Sequence, residues 1–62
     1  MKVKDLISLL EQDGWYLVRQ RGSHMHYKHK EKPNLITVPN HGMNKDLAKG
    51  TENKILKDAG LK

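Results

Sequence analysis

Sixty-two residues with a formal charge of +5, no cysteine and a mean hydropathy of −0.84 describe a short, basic, polar chain. That length holds one domain at most, residues 1–62, with a small core; the missing cysteines exclude disulfide staples and thiolate metal ligands. No uninterrupted apolar run offers a signal peptide or a membrane span, so a soluble, cytoplasmic protein is expected. Twelve Lys and Arg against seven Asp and Glu, with a pI near 9.7, make nucleic acid the first partner to consider.

In VKDLISLLEQDG the apolar residues Val3, Leu6, Ile7 and Leu10 recur on one helical face, opposite Lys4, Asp5, Ser8 and Glu11, which predicts an amphipathic helix ending near Asp13. Gly14 follows where a helix needs a left-handed residue to stop. WYLVRQR supplies the aromatic and β-branched residues of a first strand, and Gly22 and Ser23 turn the chain. HMHYKH reads as a second strand and NLITVP as a third, with the Pro and Asn of KEKPN between them. Pro39 closes the third strand, since it has no N–H for a ladder; NHGMNKDLAK is a connection without regular structure, its Leu47 tucked inward. Thr51 is placed to cap a last helix with Ile55, Leu56 and Ala59 on its inner face and Gly60 at its end. The expected fold is α+β: a two-layer α-β-β-β-α arrangement, a three-stranded antiparallel sheet with two helices on one face and the other face open.

The stretch RGSHMHYKH carries the chemistry. Gly-Ser-His-Met, residues 22–25, matches the remnant of a cleaved tag, but such remnants sit at chain ends and this one lies between two strand-like segments, so it belongs to the fold. Alternation along the second strand puts Met25, Tyr27 and His29 on one side and His24, His26 and Lys28 on the other. The apolar pair should face the helices, leaving His24, His26 and Lys28 open, joined by some of Arg19, Arg21 and Lys30; the register of the first strand is ambiguous from sequence. An imidazole among cations is what metal-free RNA cleavage needs: the cations hold the phosphate and its developing charge, and histidine moves protons near neutral pH. Gly22 would let the backbone approach a phosphate, and Ser23 could add its hydroxyl.

Other readings of the same residues stand beside this one. The histidines could be merely solvated, or His24 and His26 with His29 or His41 could bind zinc, although like charge from Lys28 and Lys30 crowds that site and no cysteine supports it. Trp15 with Tyr16 could stack bases, but an aromatic just after a helix-ending Gly is more often core. His41 is either a turn residue or a second polar group near the site. Two further functions fit the composition: a non-catalytic RNA-binding module, and an interaction protein docking an acidic partner.

The residues resemble the HicA toxin family, the small ribonuclease partners in HicBA toxin–antitoxin pairs, over nearly the whole chain. The resemblance rests on Gly14 followed by an aromatic and an apolar strand, on RQRGSHMHY with Gly22, Ser23, His24 and Tyr27, on ITVPNHG with Pro39 and His41, and on KGTENKILKDAGL. It implies a fold similar to double-stranded RNA-binding domains, and a growth-arresting mRNA endoribonuclease of a type II toxin–antitoxin system with His24 catalytic and no cofactor. Arg19, Arg21, Gly22, Ser23, His26, Lys28 and Lys30 are then the expected RNA-binding residues. It also implies a HicB antitoxin that covers the site and itself binds the operon's DNA, so that DNA is only an indirect partner. The last helix lacks the Lys-Lys-x-x-Ala-Lys run of double-stranded RNA binders, so substrate shape is not inherited with the fold. His26 and His29 are not assumed for the family, and whether either assists His24 stays open.

Overall fold

The computed structural model describes residues 1–62 and shows the order α1 (Val3–Gln12), β1 (Trp15–Arg21), β2 (His24–His29), β3 (Ile36–Pro39) and α2 (Lys49–Asp58). The strands form one antiparallel sheet in the order β1-β2-β3. Both helices lie on the same face of it, because the core joins Val3, Leu6, Ile7 and Leu10 of α1 and Ile55 and Leu56 of α2 to Trp15, Tyr27, Ile36 and Val38 of the strands. Burying each large apolar side chain contributes roughly 1.5–3 kcal/mol, which is what the amphipathic pattern of α1 supplies. Trp15 is thus core, with its indole N–H donating to Asp13 Oδ2 at 3.1 Å.

Neither helix starts on a capping side chain. The first N–H groups of α1 are satisfied by the loop after β3: Val3 N–H donates to Lys45 O at 2.9 Å and Lys4 N–H to Met43 O at 3.0 Å. That loop is otherwise irregular, with an isolated bridge between Lys2 and Asp46, and Leu47 is half-buried against the core as its pattern suggested. Thr51 is not a cap. Glu52 N–H already bonds Ala48 O at 2.9 Å, so α2 begins at Lys49 and Thr51 sits inside its first turn. The third strand also starts later than Asn34, whose side chain instead donates to Asp58 O at the end of α2 at 2.7 Å. At the other end Gly14, at φ +101°, closes α1 in a conformation a side chain would strain. No helix is long and apolar enough to cross a membrane.

The β1–β2 pairing carries one irregularity that decides the layout of the open face. Trp15 pairs with His29 and Leu17 with Tyr27, both pairs on the helix side, but Arg19 then pairs with His26 and Arg21 with His24. Strict alternation from Trp15 would put Arg19 and Arg21 beneath the helices. Counting back from His24 across the turn puts them outside. A β-bulge meets both requirements: Val18 is the extra residue, opposite His26 together with Arg19, and the phase of the strand changes at that point.

Candidate functional site

The site begins at the hairpin. Gly22 has φ +56° and Ser23, like every non-glycine residue, does not have a positive φ. Positive φ at the first central position alone is the requirement of a type II′ turn, whose twist matches antiparallel strands. A Cβ on Gly22 would meet nothing within 4 Å, so glycine is needed there for its backbone and leaves open space beside the turn. Gln20 Nε2 donates to Gly22 O at 3.2 Å, and Asn40 N–H donates to Ser23 O at 2.6 Å, fixing the turn to both neighbouring strands. His24 opens β2 directly after it.

Three rows of side chains cross the open face. The first is Arg21, His24 and Pro39; the second is Arg19, His26 and Thr37; the third contains Tyr16 and Lys28, with Leu35 at its β3 side just before the strand begins. His24 is exposed, and the hydrogen bonds made by histidine rings belong to His26 and His29, so both His24 ring nitrogens face solvent uncommitted. His26 is half-buried, with Nδ1 2.9 Å from Thr37 Oγ1, which orients its ring. None of the seven acidic residues lies in a strand. The ion pairs of the chain involve the amino terminus, Lys32 and Lys54, which leaves Arg19, Arg21 and Lys28 without a carboxylate partner. An anion is the natural complement of that surface.

Of the residues expected at the site, Arg19, Arg21, Gly22, Ser23, His26 and Lys28 are gathered with His24 around the hairpin and the face behind it. Lys30 is not. It lies past the end of β2, about 20 Å along an extended chain from His24, and lines a separate concavity with Lys28, His29 and the residues of the β2–β3 loop. His29 is on the helix side. His41 is exposed in the loop after β3 and lines, with Pro39, another concavity near the start of α2. No three His, Asp or Glu side chains converge as a ligand set for a metal ion, and His29 faces away from His24 and His26.

Thr37, Leu35 and Val18 were not singled out by the sequence reading. Thr37 and Leu35 had a signal, since they alternate with the buried Ile36 and Val38. Val18 had none apart from the conflict of phase between Trp15 and His24.

Titration is perturbed on the other face. Tyr27 is pushed above the usual phenol range by burial and then by the Glu11 charge. Asp13 is held below the usual carboxylate range, first by the hydrogen bond from the Lys32 ammonium.

Compared with known proteins, residues 3–61 match a family model described as the HicA toxin of bacterial toxin-antitoxin. No curated protein matches the chain.

Proposed function

The chain belongs to the HicA toxin family of bacterial toxin–antitoxin systems, and from that premise we propose that it is an mRNA endoribonuclease, independent of metal, whose proton-transfer group is His24. The observation that carries this reading is an exposed, uncommitted imidazole in a row with Arg21 on a face free of carboxylates. As the RNA 2′-oxygen attacks the adjacent phosphorus, His24 takes the hydroxyl proton; the P–O5′ bond breaks and the leaving 5′-oxygen is protonated from the imidazolium or from water. The products are a 2′,3′-cyclic phosphate and a 5′-hydroxyl. Arg21, in the row of His24, stabilises the charge on the phosphoryl oxygens, Arg19 and Lys28 hold the neighbouring part of the RNA, and Gly22 and Ser23 bring the backbone of the turn up to the strand being cut. A HicB-type antitoxin covers the same face and so competes with RNA.

His24→Ala tests the reading. The variant is expected to bind RNA like the parent but to cut it about 10²–10⁴-fold more slowly, the usual range for loss of a general acid or base. EDTA should leave the parent's rate unchanged and the fragments should end in cyclic phosphate. A parent protein that binds RNA with a salt-dependent affinity yet never cuts it would instead be a non-catalytic RNA-binding module.

A further inference from the structure

The open face is not uniformly polar. Val18 is 45% exposed and Leu35 53% exposed, and they stand on either side of a shallow concavity of about 370 Å³ whose remaining walls are Arg19, His26 and Lys28. Val18 comes from β1 and Leu35 from the approach to β3, with β2 between them, so the aliphatic walls are two strand spacings apart, about 9–10 Å. The bulge is what provides the first wall, because it turns Val18 to the same side as Arg19 where a regular strand would present only one of them.

From this arrangement we infer that the concavity is a subsite for one unpaired RNA base, and hence that the substrate is single-stranded where it meets the sheet. The inference rests on the ribonuclease reading and specifies its substrate. A base is a flat, apolar ring with a polar edge. Val18 and Leu35 contact the ring, while the Arg19 guanidinium and the His26 imidazole, oriented by Thr37, reach the edge. Lys28 takes a flanking phosphate, and its row neighbour Tyr16, 50% exposed, offers a face for the next base. His24 and His26 are two positions apart on one strand, about 7 Å, so a base seated over His26 belongs to a nucleotide beside the phosphate at His24. A duplex cannot fill the subsite, because its bases are stacked inside the helix and its accessible surface is ribose and phosphate. An acidic peptide would pair with the cations but would leave the aliphatic walls unused.

The test compares three probes on a His24→Ala background that prevents cleavage: a single-stranded RNA oligonucleotide, the same strand with abasic riboses, and the strand annealed to its complement. The single strand is expected to bind on the order of tenfold more tightly than the abasic strand or the duplex. With Val18→Ser and Leu35→Ser added, both ratios should fall to near one while the affinity for the abasic strand is kept. Both positions are exposed, and an unchanged melting temperature shows that the fold is intact. Ratios that survive the two substitutions overturn the inference and assign the walls to a protein contact, without touching the His24 result. A parent protein with no affinity for any of the three probes overturns the subsite and the ribonuclease reading together.

Discussion

His29 shows how differently neighbouring histidines can be used. Its side chain is 8% exposed, and its ring packs edge-on against Trp15 with centroids 5.2 Å apart. Nε2–H donates to Asp13 O at 2.6 Å and Nδ1 accepts from Glu31 N–H at 3.0 Å, so both ring nitrogens are committed. The close approach also explains Gly14 a second time, since a Cβ there would come within 2.9 Å of His29 Nε2. His29→Ala should therefore cost roughly 2–4 kcal/mol of stability, from the half-buried Asp13 carbonyl it leaves unpaired and a gap beside Trp15, and should lower the urea midpoint while leaving RNA affinity in place. His24→Ala should leave both the urea midpoint and RNA affinity in place and remove cleavage. Parity along HMHYKH was enough to separate these two rings in the sequence, because one apolar pair, Met25 and Tyr27, fixed the phase. What parity could not show is that both nitrogens of His29 are occupied, since their partners at Asp13 and Glu31 come from a helix end and from the loop after β2.

Between elements, a single ammonium joins three chain segments. Lys32, in the β2–β3 loop, donates to Asp13 Oδ2 at the end of α1 and to Ala59 O at the end of α2, each at 2.7 Å. A cation there also suits the negative C-terminal ends of both helices. Asp13 is held below the ordinary carboxylate range mainly by that hydrogen bond, so its contribution to stability is complete above the unfolded-state value and is lost as pH falls through the folded one. Acid titration followed by circular dichroism should show this loss in the parent, and Asp13→Asn should be less stable at neutral pH with a flatter acid limb. Asp13 and Lys32 lie 19 residues apart, and nothing in either local pattern announces the pair. The start of α2 was misplaced for a related reason. Ala48 carries no capping side chain and Lys49-Gly50 reads as loop, so the nearest hydroxyl, Thr51, drew the boundary toward itself. Strand phase in β1 stays open in the sequence for a local reason, because a bulge satisfies the two ends of a strand at once and leaves no residue type as its mark.

The whole molecule divides into two unequal surfaces. All eleven buried residues are apolar and lie between the helices and one side of the sheet, while the acidic residues lie outside the strands. The unpaired cations of the open face repel one another in the free protein, and a polyanion removes that repulsion as it binds. Heparin should therefore raise the melting temperature at low salt, approaching a stabilisation of about 2.7 kcal/mol at a hundred times its dissociation constant. The effect should fade as salt rises and shrink in Arg19→Ala/Arg21→Ala. This asymmetry was legible early, since counting charges by strand needs no register.

The bulge at Val18 also bears on self-association. β1 is an outer strand of the sheet, and its free backbone runs beside exposed Tyr16, Leu17 and Val18, the kind of border along which copies of a chain can stack. Removing Val18 would preserve every partner in the hairpin and give a more regular ladder. It would also straighten that border, so a chain one residue shorter in β1 is expected to fold and then polymerise.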